Sequence, residues 1–300
     1  PEADQWPISD TWHYHDLLNG LDEYVNAVDR LYGKAESLDD FCRKVQLINY
    51  DSYRAMFESW NSRLWGDASG VLLWMSHPAW PSVEWQTYSW DYETFGSYYG
   101  SRKACEPVHV QMNLDDHDVV VLNTTTSALD GMKVSLTCYD LAGKKISAKT
   151  VKEISVPANS RKDLFKAELE GINGNFIVRL VLSDRKGKVV TVNDYMMRGE
   201  GTEDFKALNS VGKAQIKARK VSSQDGVLRY EITNTTGNIA FNLKFNLCDE
   251  KTGEIILPAY FSDGYFHLLP GEKRTLEVHS PSTGAIMVEG YNVDSTIISR

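Results

Sequence analysis

The chain is short of several things, and each shortage excludes something. It has no excess of basic residues: 32 Lys and Arg stand against 41 Asp and Glu, a net charge of −9. That balance argues against nucleic acid and against an anionic membrane surface as partners. No apolar run is long enough to span a bilayer, so no membrane span is expected. The four cysteines, Cys42, Cys105, Cys138 and Cys248, form no C-x-x-C and no metal-ligand spacing, so all four are expected as buried free thiols. His13-Tyr14-His15 has no third ligand at a useful distance, and no metal or cofactor is expected. The opening PEADQWPISD carries neither a basic segment nor an apolar one, so it does not read as a signal peptide. A first residue of proline instead of methionine suggests that the start has been removed. The expected location is periplasmic or secreted, with any leader lying upstream.

Tryptophan is also absent from most of the chain. All eight lie between Trp6 and Trp90, and the remaining 210 residues hold none. Two kinds of structure are therefore joined, in a chain of 300 residues long enough for two to three domains. In the first part, residues 1–16 read as an irregular, aromatic-rich loop. Leu18, Leu21, Val25, Val28 and Leu31 recur at helical spacing and end at Gly33. Ser37 with Asp40 opens a second helix that runs to about Trp60. Residues 88–104 read as a last aromatic-rich helix or pair of turns, stopped at Glu106-Pro107.

The stretch Gly70–Tyr92 is the functional candidate. A short apolar run, Val71 to Met75, reads as a buried strand. It passes at once into a polar, proline-punctuated loop with Ser76, His77, Trp80, Glu84 and Trp85. A strand whose C-terminal end carries polar and aromatic groups is how an α/β barrel presents a binding site. Indole faces beside polar groups suit a pyranose, which lays its axial C–H bonds on the ring while its hydroxyls reach polar side chains. A tryptophan-rich packing core is the competing reading.

From Val108 the hydrophobic period becomes two, with turn signals at short spacing, as in antiparallel β-sandwiches. A repeat runs through this part. Val120–Thr125 (VVLNTT) matches Tyr230–Thr236 (YEITNTT), and Met132–Ile146 matches Phe241–Ile255. Cys138 and Cys248 each precede a glycine by five residues and fall at equivalent core positions. Asn123 and Asn234 each begin an Asn-x-Thr sequon. The domains read as 1–105, 106–200 and 201–300, with the second junction near Glu200–Asp204.

The first hundred residues resemble a known family. The residues that carry the likeness are Trp12-His13-Tyr14-His15-Asp16, Val45–Tyr50, Tyr53-Arg54-Ala55-Met56-Phe57-Glu58, Gly70–Met75, Trp80-Pro81-Ser82, Trp85-Gln86 and Ala104-Cys105-Glu106-Pro107. They are similar to the C-terminal part of glycoside hydrolase family 2, in the branch of exo-β-D-glucosaminidases and β-mannosidase-like enzymes. The resemblance implies a multidomain chain: a C-terminal remnant of a (β/α)8 barrel, with Val71–Met75 as strand eight, then two immunoglobulin-like antiparallel β-sandwiches. It implies a retaining mechanism by two glutamates, on strands four and seven, both upstream of Pro1, so no catalytic residue is named in this chain. It implies substrate-lining roles for Trp74 first, then His77, Trp80, Trp85, Trp12 and His15. The family's Leu-Asn after Trp-Met is replaced here by Ser76-His77.

The expected function is the aromatic wall and accessory sandwiches of an exo-acting β-glycosidase of the glucosaminide or mannoside type. The alternative is a non-catalytic carbohydrate-binding or structural sandwich protein. The expected partners are a glycoside or oligosaccharide substrate and the missing N-terminal domains. Self-association is expected too, because a lone parallel strand leaves edges and apolar faces uncovered.

Overall fold

The computed structural model describes residues 5–83 and 86–298. Its contacts divide into two units: the described residues of Pro1–Asp51, Leu73–Tyr99 and Lys206–Arg300, and those of Ser52–Leu72 and Gly100–Phe205. Among the described residues no helix is long and apolar enough to cross a membrane.

Among the described residues four helices precede the sheets: α1 (Asp10–Tyr14), α2 (Leu21–Tyr32), α3 (Leu38–Asn61) and α4 (Gly96–Ala104). The residues expected as a loop thus contain one short helix, α1. Helix α2 begins where the Asp16 carboxylate accepts the Gly20 and Leu21 amides at 3.0 and 2.8 Å. These are amides a helix leaves without internal partners. It ends at Gly33, whose φ of 83° suits glycine. Helix α3 is capped by Ser37, whose hydroxyl accepts the Asp40 amide at 3.2 Å. The buried Lys44 donates to the Gly33 and Lys34 carbonyls just past the end of α2, and to Asp40. Leu21, Val28 and Phe41 form the shared core, with Trp6, Trp12, Val45 and Val83 packed against it. Gly96 starts α4 against α3: its amide donates to Gln46 Oε1 at 3.0 Å, and a Cβ there would overlap the Gln46 carbonyl.

The segment Val71–Met75 does not form the expected strand; it is irregular, and Leu72 is 100% exposed. A parallel strand needs hydrogen-bonding neighbours on its edges, and no strand pairs with this segment among the described residues.

The first sandwich holds β1 (Val108–Met112), β2 (Asp118–Asn123), β3 (Leu129–Asp140), β4 (Lys145–Val156), β5 (Ser160–Lys166), β6 (Asn175–Ser183) and β7 (Val189–Arg198). Sheets β1-β2-β5 and β4-β3-β6-β7 are antiparallel. They enclose Val110, Val121, Leu136, Cys138, Val178 and Leu180. The sequence gives β6 one apolar face, yet Ile177 and Arg179 on its other face are buried too. Arg179 is held there by a two-bond pairing with Asp194 at 2.7 Å.

The second sandwich holds β8 (Ile216–Gln224), β9 (Val227–Asn234), β10 (Ala240–Cys248), β11 (Tyr260–Phe261), β12 (Phe266–Leu268), β13 (Lys273–His279), β14 (Ala285–Gly290) and β15 (Val293–Ile298). Its sheets are β12-β10-β14-β15 and β11-β13-β9-β8.

The sequence repeat is a repeat of one structural device. Asn123 ends β2 and Asn234 ends β9, and both are fully buried. Asn123 Nδ2 donates to the Ser127, Val156 and Pro157 carbonyls, and its Oδ1 accepts from Thr125. Asn234 Nδ2 donates to the Asn238, Leu268 and Leu269 carbonyls, and its Oδ1 accepts from Thr236. Each asparagine fastens the end of its strand to two further loops. The Asn-x-Thr pattern is therefore an internal clamp, with no amide nitrogen left for a glycan. Cys138 and Cys248 are buried as expected; Cys42, on an outer turn of α3, and Cys105, in the turn directly after α4, are exposed free thiols, contrary to expectation.

Replacing either clamp asparagine by alanine leaves buried carbonyls without donors, and we expect a loss of about 2–4 kcal/mol, read by urea denaturation. Mass spectrometry of protein made in a glycosylating host is expected to find Asn123 and Asn234 unmodified. Gly96→Ala is expected to cost about 3 kcal/mol by overpacking against backbone, read on the same urea curves.

Candidate functional site

The expected sugar-facing residues fall into three settings. Trp12 and His15 come together. Trp12 lies edge-on to Phe41, ring centres 5.8 Å apart, and its indole N–H donates to the Gln5 carbonyl at 2.8 Å. His15 Nδ1 donates to the Pro81 carbonyl at 2.8 Å, and the Val83 amide donates back to the His15 carbonyl at 2.9 Å. These bonds tie the end of α1 to residues 81–83. Between them lies an open cavity of about 330 Å³, lined by Gln5, Thr11, Trp12, His15 and Pro81–Val83. Its lining is mostly apolar, with one buried hydroxyl, Ser82 Oγ, that has no hydrogen-bond partner among the described residues.

His77 lies elsewhere, in a stack of rings. It is parallel to Tyr92 at 4.9 Å, tilted against Tyr88 at 5.2 Å, and its Nε2 donates to the Trp90 carbonyl at 3.2 Å. Of the stretch expected as a helix or a pair of turns, residues 88–95 are a tight turn and Gly96–Ala104 is helix α4. Tyr88 pairs with Thr94, and Ser89 holds Asp91 and the Glu93 amide. Tyr92 has a φ of 72°, costly for a bulky residue and set by the turn that brings its ring to His77. Trp74 and Trp80 are 78% and 64% exposed. Trp85 lies outside the described residues, as does Glu84.

The tyrosine stack and the Ser82 hydroxyl were not singled out from sequence. The alternation Tyr88, Trp90, Tyr92 was the available signal. It fits a turn with rings on one side better than a helix.

A group of linked titratable side chains lies elsewhere and is closed. In the second unit, Glu58 and Arg54 from the last turns of α3 meet His109, Asn193 and Tyr195 from the first sandwich. Glu58, His109, Asn193 and Tyr195 are each 3% exposed or less. Glu58 Oε1 accepts from His109 Nε2 at 3.0 Å and Asn193 Nδ2 at 2.7 Å, and Oε2 accepts from the Tyr195 hydroxyl at 2.9 Å. His109 Nδ1 donates to Glu106 at 3.3 Å, and Lys103 pairs with Glu106 at 2.8 Å. Arg54 donates to the Asp194 carbonyl and lies 4.4 Å over the Tyr195 ring. Burial opposes charge on His109, but the flanking Glu106 and Glu58 outweigh it and raise its pKa. Burial likewise opposes charge on Glu106, and the His109 hydrogen bond with the Lys103 charge reverses this and holds its pKa down to about 2. With so little exposure, no substrate reaches this group; it fastens helix to sandwich.

The comparisons with known proteins extend this picture. Residues 115–198 match the mannosidase Ig/CBM-like domain, and residues 194–293 match the exo-beta-D-glucosaminidase Ig-fold domain. The chain is 30% identical to an exo-beta-D-glucosaminidase of Streptomyces avermitilis, over 96% of this chain and 36% of that protein. It is 28% identical to a mannosylglycoprotein endo-beta-mannosidase of Lilium longiflorum, over 94% of this chain and 37% of that protein. The crystal structure of the exo-chitosanase CsxA of Amycolatopsis orientalis superposes with a TM-score of 0.87 at 26% identity, covering 100% of this chain and 40% of that one. Over most of its length the chain is thus similar to part of these glycosidases. Its homologues are exo-β-D-glucosaminidases and β-mannosidases of glycoside hydrolase family 2, and it corresponds to their C-terminal region. The chain spans about a third of the length of these curated relatives.

The raised His109 and lowered Glu106 set a pH window. The Glu106 contribution is complete above its ordinary value near 4.5 and fades as pH falls toward 2. The His109 contribution is complete below 6.5 and is lost as pH rises through its raised value. The urea midpoint is therefore expected to peak between about pH 4.5 and 6.5. Glu106→Gln is expected to flatten the acid limb.

Proposed function

We propose that this chain is part of a β-glycosidase that removes terminal β-linked sugars of the glucosaminide or mannoside type. Residues 1–105 complete a (β/α)8 barrel whose remaining strands and catalytic glutamates lie outside this stretch, and residues 106–200 and 201–300 are accessory sandwiches. Trp74 supplies the floor beneath the sugar, with Trp80, Trp85, His77, Trp12 and His15 around it. The reaction is retaining: one glutamate attacks the anomeric carbon and another protonates the leaving oxygen. This chain's contribution is to hold the ring, with indole faces on its C–H bonds and the second imidazole nitrogens, those not donating to the Pro81 and Trp90 carbonyls, accepting from its hydroxyls.

The observation that carries the reading is the exposure of Trp74 and Trp80 beside a fully exposed Leu72. Apolar side chains on an irregular segment after a helix are a surface built to be covered. In the whole protein the neighbouring strands pair with Val71–Met75 and substrate covers Trp74. The open cavity beside Trp12 and His15 adds a mostly apolar recess to the same unit.

The natural protein that contains this chain is expected to hydrolyse p-nitrophenyl β-D-glucosaminide or the β-mannoside, and the 300-residue chain alone to hydrolyse neither. Trp74→Ala in the whole protein is expected to lower kcat/KM about a hundredfold or more, roughly 3 kcal/mol, with an unchanged melting temperature. Amides of Val71–Met75 are expected to be protected from hydrogen exchange in the whole protein and unprotected in the isolated chain. A whole protein inactive on both glycosides would overturn the reading.

A further inference from the structure

A second cleft lies in the other unit, where the chain leaves α3 and meets the turn before β5. It is a depression of about 620 Å³ framed by residues 62–67 and 159–163. Its floor and walls combine one aromatic face, Trp65, with the polar side chains of Arg63, Asp67, Asn159, Arg161 and Asp163. It shares no residue with the sugar wall proposed above.

Three observations bear on what it holds. The loop is built, not loose: the Arg63 carbonyl accepts the Gly66 and Ala68 amides at 3.2 and 3.1 Å, and Leu64 bridges to Ala68. Trp65 sits within it at a φ of 63° and is 44% exposed. That conformation is unfavourable for a bulky side chain and ordinary for glycine or asparagine. A tryptophan there carries a conformational cost and leaves much of its indole in water.

The polar groups divide by role. Arg161 is occupied by Asp163 at 3.0 Å, and Ser160 by the Pro157 carbonyl at 2.8 Å, so these fix the wall. Arg63 and Asp67 have no side-chain partner among the described residues and remain available as donor and acceptor. Two arginines and two aspartates leave the cleft without net charge. A flat aromatic face, a free guanidinium, a free carboxylate and balanced charge match a neutral polyhydroxyl ring. A phosphate or a polyanion would meet both aspartates, and a polycation both arginines.

We propose that this cleft is a second saccharide-binding site, taking one or two residues of a neutral β-linked oligosaccharide. The pyranose lies on Trp65, and neighbouring hydroxyls donate to Asp67 and accept from Arg63. The site shares no residue with the proposed sugar wall. Its role is to retain a polymeric substrate or the surface that bears it.

The test uses the whole natural protein carrying Trp74→Ala, so that the sugar wall contributes little. Calorimetric titration is made with cellotetraose, with mannotetraose and with a glucosamine tetramer. Saturable binding of a neutral tetramer is expected, weakened at least tenfold by Trp65→Ala and by Asp67→Asn, with an unchanged melting temperature. Hydrolysis of the aryl glycoside by an otherwise wild-type Trp65→Ala protein is expected to be unaffected. Binding that survives Trp65→Ala, or no binding of any tetramer, would overturn the site. Binding of the cationic tetramer alone would overturn its assignment to a neutral saccharide. These outcomes do not depend on turnover, so failure of the catalytic reading leaves the result interpretable.

Discussion

The buried carboxylate of Glu58 is the constraint on which the second unit depends. It is a carboxyl group removed from water and given three donors: an imidazole, an amide and a phenol. Removing one partner of such a group leaves a charge unpaired in a low-dielectric interior, at a cost of about 3–5 kcal/mol. Apolar packing alone lets a helix slide or rotate on a sheet, because dispersion and area burial are nearly indifferent to register. Hydrogen bonds at about 3 Å are not indifferent. Glu58, His109 and Asn193 therefore set one position for the last turns of α3 on the first sandwich. This is a role for buried polar groups that hydrophobic patterning cannot fill.

A second buried polar group serves the sheets. The clamp asparagines each satisfy three carbonyls where chain segments leave regular pairing. Backbone carbonyls at strand ends need donors when buried, and an amide side chain supplies two protons from a fixed position. The same sequence triplet in both sandwiches thus reflects the same local shortage of donors. Sequons are commonly read as surface markers, and burial decides against that reading here.

The proposed sugar wall shows how a site differs from a core. Core aromatics in this chain are covered: Tyr99, Tyr195 and Phe241 are each 2% exposed or less. Trp74 and Trp80 are not. His77, expected beside them, spends its ring face on Tyr92 and one nitrogen on a carbonyl, which leaves it a narrower role than a free imidazole would have. The Trp65 cleft adds an aromatic face in a conformation that tryptophan ordinarily avoids.

Sequence alone determined the helical spacing of α2 and α3, the Ser37 cap, the period-two strands and the internal repeat. Each of these is a local pattern, and local sterics and amphipathic burial act within a few residues. It also determined the family likeness, because that rests on strings such as Gly70–Met75 read directly. Tertiary structure decided the rest. Val71–Met75 has the composition of a strand but is paired with no strand among the described residues, since a strand is a property of neighbours and not of its own side chains. Residues 88–95 are aromatic enough for a buried helix, yet a turn gathers their rings on His77. The Asn-x-Thr triplets became clamps only once distant carbonyls were brought to them. Whether a tryptophan fills a core or waits for a ligand depends on what folds over it, and that information lies in contacts between residues far apart in the chain.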